Sequence, residues 1–274
     1  MSKEPLPREA IRRVSATAFR YGADAVAREV AVPVETPVEM RYGGVPFAVM
    51  MLTPRDLVDF AVGFSLTEGT IRSARDVREV EVADRAAGLS VDIRLAPDRM
   101  SRHLARRRAI SGRTGCGICG IEDLASLDVE GRAPVRTVRP RLDAVEHAVA
   151  SLEDVQVLNR ESRSVHAAAW AGVDGQIVAV REDVGRHNAL DKLVGHLARD
   201  EVDPATGFVI ITSRCSFEMV DKAAAFGAGA IVAVSAPTSL ALDRAARLGV
   251  TLFGIARRDG LTAFVGAPSP ADLG

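Results

Sequence analysis

From Leu142 to Ala256 the chain switches repeatedly between helical and extended hydrophobic spacing, and that alternation limits its fold more than any other feature. A helix is expected over 142–153. VHAAAWAG and QIVAVRE then read as two strands joined at Asp174-Gly175. A helix from about Arg186 to Leu197 follows, then strand GFVIIT, a helix over 216–226, strand AIVAVS, a helix over 239–248 closed by Gly249, and strand TLFGIA. Strand–helix–strand repetition of this kind predicts a largely parallel sheet with helices on its faces.

The first half has a different rhythm. EMRYGGVPFAVMML gives two extended runs about Gly43-Gly44, a hairpin signal. Thr53 is expected to cap a helix that has Pro54 first, Asp56 in its first turn, and Leu57, Phe60, Ala61 and Phe64 as its apolar stripe. VREVEV and LSVDIRL alternate as strands, while residues 1–35 show no clear period and support no more than an edge strand. MSRHLARRRA reads as a short helix running into the loop GRTGCGICG, and RAPVRTVRPR as a linker. The expected organisation is α/β: a smaller N-terminal α+β domain over 1–138, ending in that loop, and an α/β domain over 139–274.

Composition narrows the function classes. With 274 residues, 47% of them apolar, the chain can fill a large core. It has no run of about 18 apolar residues and no apolar signal core at its start, so no membrane association is expected. Three cysteines fit a reducing compartment better than a disulfide scaffold, and the expected location is cytoplasmic. Basic and acidic side chains nearly balance, 35 against 36, and aromatics are 4%, which argues against nucleic acid as a partner. The basic residues are almost all arginine, with lysine only at 3, 192 and 222, so an arginine cluster reflects composition before it reflects a site.

In α/β sheets ligands bind beyond the carboxyl ends of strands, where helix N-termini offer free N–H groups. Three polar junctions occur at such positions: REDVGRHNALDK, TSRCSFE and SAPTSL. Arg186, His187 and Asn188 crowd the first, and Ser213 and Arg214 the second. Each junction also reads as plain helix capping, by Asp183, by Ser213 or Ser216, and by the hydroxyls after Ser235. Three together point to a phosphate-bearing ligand, although neither GxGxxG nor GxxxxGK[ST] is present. Cys215 and His166 read as core residues.

Cys116 and Cys119 form a CxxC pair among glycines 115, 117 and 120, which leaves three readings: a zinc site, a redox pair, or a sulfur-carrying thiol. Zinc would need further ligands from His103, His147, His166 or His187, none tightly spaced. Lowering a thiol pKa by about two units raises the thiolate fraction about 25-fold. Reduced nucleophilicity trims the rate gain to about threefold, so positioning has more to contribute than ionisation.

GRTGCGICG, VHAAAW, REDVGRHNALDK, SRCSFEMVDKAA and VSAPTSLA, in that order and with ETPVEMRYGG and TPRDLVDFAVGFSLTEGTI before them, resemble the formate dehydrogenase accessory sulfurtransferase family over roughly Val34 to Phe264. The resemblance implies a sulfur carrier that takes persulfide sulfur from a cysteine desulfurase. It would pass that sulfur to the molybdenum or tungsten centre of bis-molybdopterin guanine dinucleotide, for the catalytic subunit of formate dehydrogenase. Cys116 would carry the persulfide and Cys119 would assist. The resemblance further implies a cytidine deaminase-like three-layer α/β/α second half, binding of a GDP-like guanine nucleotide, a homodimer, and cofactor contacts in FGIARR, that is Phe253, Gly254, Ile255, Ala256, Arg257 and Arg258. The HxE and PCxxC elements of zinc deaminases are missing, so deaminase chemistry is not expected. A non-catalytic cofactor chaperone and a structural zinc protein are the rival readings.

Overall fold

The computed structural model describes residues 8–110 and 132–266. β1 (Ile11–Ala18) and β2 (Val26–Pro33) pair as an antiparallel hairpin, more than the edge strand expected there. Their faces are mostly exposed, so no apolar alternation marks them. β3 (Thr36–Tyr42) and β4 (Val45–Leu52) form the expected hairpin, with Gly43 and Gly44 at φ 56° and 80°. That two-residue turn has the twist paired strands require. With β5 (Val77–Arg85) and β6 (Gly88–Leu95) they make a four-stranded sheet of order β4-β3-β6-β5. α1 (Leu57–Thr67) follows β4, and α2 (Pro97–Ile110) follows β6.

Thr53 does not cap α1. The helix starts four residues later behind Asp56, whose φ is 53°. Thr53 is instead buried and spends its groups on the second half of the chain. Its N–H donates to the Asp183 carboxylate at 3.0 Å, its hydroxyl accepts from the Val184 N–H at 3.2 Å, and its carbonyl accepts from Lys192 Nζ at 2.9 Å. A long-range network therefore outcompetes a local cap.

The second half contains α3 (Leu142–Val155), α4 (Val157–Ser162), β7 (His166–Gly172), β8 (Ile177–Asp183), α5 (Arg186–Arg199), β9 (Gly207–Ile211), α6 (Phe217–Phe226), β10 (Ala230–Ala233), α7 (Ser239–Leu248), β11 (Thr251–Arg257) and β12 (Gly260–Val265). Its six-stranded sheet has the order β12-β11-β10-β9-β7-β8. The sheet is mixed, which corrects the expectation of a largely parallel one. Only β9-β10 and β10-β11 pair in parallel, while β7 runs antiparallel to both neighbours and β12 antiparallel to β11. The cause is local: a tight turn at Asp174-Gly175 can only reverse the chain, and β7 then lies between the parallel strands β8 and β9.

Strand residues alternate between two cores. Trp170, Val209, Ile211 and Ile231 face α5 and α6 and belong to a cluster that continues into α1 and the first sheet. Ala169, Phe208, Ile210 and Val232 face the other way, onto Val145, Ala148 and Leu152 of α3. Helices thus cover both faces of the second sheet. α1 crosses α5 at backbone contact: a Cβ on Gly63 would lie 1.7 Å from the Asp191 carbonyl oxygen, and one on Gly195 1.8 Å from that of Asp59. Residues 132–140 run packed along the second sheet's helices, where the Val135 N–H donates to Leu248 and the Val138 N–H to Gly229.

Candidate functional site

β8, β9, β10 and β11 all point the same way, so the three polar junctions and the end of FGIARR share one edge of the second sheet. At the first junction most of the polar residues turn inward. Asp183 is fully buried and pairs with the equally buried Lys192 at 2.6 Å, while also accepting from the Thr53 and Gly185 N–H groups and from Asn188 Nδ2. Asn188 spends its amide on Asp183 and on the Met51 carbonyl. Glu182 accepts the Leu158 and Asn159 N–H groups at the start of α4, and burial holds its carboxyl above the usual range. Arg181 pairs with Asp59 at 2.7 Å. The α5 N-cap position belongs to Gly185, not to Asp183.

Arg186 and His187 remain at the edge. His187 Nε2 lies 3.5 Å from Glu218 Oε2 in the first turn of α6, which ties the first junction to the second. Burial, reinforced by Arg186, Lys222 and His166, pushes the His187 imidazole down to about 4. It is therefore neutral near pH 7, so its approach to Glu218 is not a charge pair there. His166, read from sequence as a core residue, is only part-buried; burial and the Arg186 charge lower its pKa against the pull of Asp183. Arg186 Nε and Ser216 Oγ are buried without hydrogen-bond partners. Ser216 occupies the N-cap position of α6 but makes no side-chain cap bond, and the Ser213 hydroxyl donates to the Arg214 carbonyl, so neither serine caps as expected. Beneath this edge Lys222 is paired with Asp191 at 2.9 Å, and Asp191 also accepts from the Thr67 hydroxyl.

The second and third junctions pair with each other. The Cys215 N–H donates to Ala236 and the Thr238 N–H to Cys215, while Thr238 caps α7. Arg214 is exposed. Cys215 is fully buried, and burial pushes its thiol up to about 12, which leaves it inert as a nucleophile near neutral pH.

FGIARR is divided by the sheet. Phe253 packs into the α3-side core, and a Cβ on Gly254 would lie 2.9 Å from the Pro237 ring and 3.0 Å from the Phe264 ring. Ile255 has φ 53°, a left-handed conformation that costs a β-branched residue energy, and it sits within a register shift of the β11-β12 pairing. Ala256, Arg257 and Arg258 line a cleft of about 280 Å³ between the end of α3 and the ends of β9 and β10. Arg257 donates to the Val234 carbonyl, and Arg258 lies 3.5 Å from Glu153. Gln156, Asn159 and Thr212 also line this cleft. The first two were not expected from the sequence, where the helix ends at 153; the structure carries α3 to Val155 and adds the short α4 from Val157, with Gln156 between them.

Cys116 and Cys119 lie outside the described residues. Among the described residues no group of three His, Cys, Asp or Glu side chains could hold a metal ion, and no helix is long and apolar enough to cross a membrane.

The fold is mixed α/β, with arginines, helix N-termini and a half-polar cleft gathered along one strand edge, an arrangement whose chemistry suits anionic groups. The chain belongs to the FdhD/NarQ family, whose model matches residues 33–269. It is 46% identical over 228 residues to the sulfur carrier protein FdhD of Bordetella petrii, covering 81% of this chain and 80% of that one. It is 45% identical over 258 residues to the protein of the same name from Agrobacterium fabrum, covering 93% and 94%. A solved structure of a formate dehydrogenase accessory protein from Desulfotalea psychrophila superposes with a TM-score of 0.75 at 22% identity, covering 97% of this chain and all of that one, a likeness of fold.

Proposed function

We propose that this chain is a sulfur carrier in the maturation of formate dehydrogenase. It accepts sulfur from a cysteine desulfurase at Cys116 and delivers it to the metal of bis-molybdopterin guanine dinucleotide, the cargo it holds for the formate dehydrogenase catalytic subunit. Membership of the family and the relatives' shared name support the carrier role. The observation that supports the cargo assignment is that the Arg186–His187 turn, Arg214 and the Ala256–Arg258 cleft all lie at the same end of the second sheet's strands. The bis form of the cofactor presents two diphosphates, one in each dinucleotide unit, which a basic strand edge suits, and a GDP-like nucleotide is the simplest analogue of one unit. The mixed sheet with α5 and α6 on one face and α3 on the other supports a cytidine deaminase-like layering. A homodimer would let two such edges hold the two nucleotide ends of one cargo molecule.

The transfer proceeds in two steps. The Cys116 thiolate attacks the terminal sulfur of the desulfurase persulfide, the S–S bond breaks, and the desulfurase leaves as its thiolate. Cys119 then attacks the Cys116 sulfur, which releases the terminal sulfur to the metal as sulfide and leaves a Cys116–Cys119 disulfide that a cellular dithiol must reduce. Incubation with a desulfurase and cysteine is expected to add 32 Da, about one sulfur atom, to Cys116, as read by mass spectrometry. Cys116→Ala should abolish that adduct, whereas Cys119→Ala should keep it and lose delivery. Full formate dehydrogenase activity with both cysteines replaced would remove the mechanism in favour of a non-catalytic chaperone, and stoichiometric zinc in the purified protein would favour a structural metal site.

A further inference from the structure

The β1–β2 hairpin turns an apolar face outward. Its two eight-residue strands make it about 26 Å long, and from Ser15 to Glu29 every residue except Ala18 is exposed. The root is the end that carries Ile11 and Pro33. There Ile11 and Val184 pack against Ala10, Leu158 and Val165, and Arg13 reaches Glu161 of α4 at 3.5 Å. Arg13 shares its face with Ser15, Thr17 and Glu29, where the Ser15 hydroxyl donates to the Glu29 carboxylate. Register rather than spacing gathers Val14, Ala16, Ala18, Val26, Val30 and Val32 on the opposite face. At the free end Val26 is 61% and Phe19 80% exposed, and Tyr21 is fully so. A two-stranded hairpin on its own is marginal in water, and apolar residues held out together mark a surface that a partner covers.

Charge identifies the chemistry of that partner. The apolar face also carries Arg12 and Arg28, neither of which has a hydrogen bond or ion pair among the described residues, and it carries no carboxylate. A second copy laid face to face would bring four arginines together with no acid between them, so the face fits an apolar patch edged by carboxylates on a different protein. Position identifies which protein. Val184, at the hairpin root, lies two residues before Arg186, and Asn159, the neighbour of Leu158, lines the cleft beside Ala256–Arg258. The hairpin is therefore rooted beside the strand edge assigned to the cargo. We propose that the β1–β2 hairpin is the docking arm for the protein that receives the cargo, the catalytic subunit of formate dehydrogenase, which meets it with an apolar patch rimmed by carboxylates. The inference rests on the carrier reading above and adds to it the surface of delivery. The family match begins at residue 33, the last of β2, so the arm lies outside the part of the chain that the family model describes. It selects the recipient and takes no part in sulfur loading.

Surface plasmon resonance of the full chain on the formate dehydrogenase catalytic subunit, purified without its cofactor, tests the arm. Phe19→Ser combined with Tyr21→Ser, both at exposed positions, should weaken binding at least about tenfold, as loss of aromatic anchors does. Arg12→Glu combined with Arg28→Glu should slow association about tenfold at low salt, and the difference from wild type should shrink as salt rises. In both variants sulfur loading of Cys116 by a desulfurase and cysteine should stay at the wild-type level. Unchanged affinity in both variants would overturn the arm and leave the carrier reading standing. Weakened binding to the desulfurase, with the catalytic subunit bound as before, would overturn the assignment to the recipient. So would a wild-type dimer that dissociates in the variants while the catalytic subunit is still bound, since the face would then belong to a second copy. A wild type that loads sulfur but does not bind the catalytic subunit would also overturn the arm, and one that does neither would overturn the carrier reading itself.

Discussion

His187 shows how far surroundings set the chemistry of a single residue. Its sequence neighbours suggest a charged anion ligand, yet burial and the nearby Arg186, Lys222 and His166 push its pKa down to about 4, and Glu218 faces its Nε2. A neutral imidazole has one donor and one acceptor nitrogen and offers no charge, so Arg186 and Arg214 supply the positive potential at this edge. The sign of the linkage follows. Between pH 6.5, the ordinary histidine value, and about 4, the unfolded chain binds a proton here that the folded chain refuses. The contribution to stability is therefore full above about pH 6.5 and is lost as pH falls towards 4. NMR titration should place the His187 midpoint near 4, and His187→Gln should narrow the gap between melting temperatures at pH 7 and pH 4.5. A midpoint above 6 would contradict this account. Which polar residues of REDVGRHNALDK would turn inward was not legible, because Asp183, Asn188 and Lys192 find partners 130 or more positions away at Met51 and Thr53, and pair with one another between the end of β8 and α5.

At the scale of elements, the close crossing of α1 and α5 sets how the two halves meet. Each helix presents a glycine where a methyl group would collide with the other's backbone. Backbone cannot retreat as a flexible side chain can, so the helices must separate. Gly63→Ala is expected to cost about 3 kcal/mol, the upper part of the usual range for overpacking, and denaturant melts would measure it. A change below about 0.5 kcal/mol would mean that the crossing yields easily. Most strands and helices were legible from period alone, because half-buried strands and one-faced helices write their packing into the apolar spacing. The exceptions have reasons. β1 and β2 bury little; β12 is a short alternating strand past the Arg258-Asp259 turn; and α1 begins late because Thr53 is drawn into the Asp183 network.

Across the whole molecule the buried pair Asp183–Lys192 acts as a clasp, since it binds the β4–α1 connection to the start of α5. One hydrophobic cluster also runs from Val38 and Ile93 of the first sheet through α1 and α5 to Ile231 of the second. Thermal unfolding is therefore expected as a single transition. Asp183→Asn, which leaves a buried lysine without its counter-charge, should lower stability by about 3–5 kcal/mol while keeping one transition in calorimetry. Two separable transitions in the wild type would show that the halves fold independently. The amino-acid sequence by itself determined most of the elements, the turns and the strand ends at which polar residues gather, because these follow from hydrophobic period, glycine positions and the polarity of strand-to-helix junctions. Only the tertiary structure decided which polar groups at that edge turn inward and which stay exposed, that the sheet is mixed, and that Gln156 belongs to the wall of a cleft. Those outcomes depend on contacts between residues far apart in the chain, and no local spacing records them.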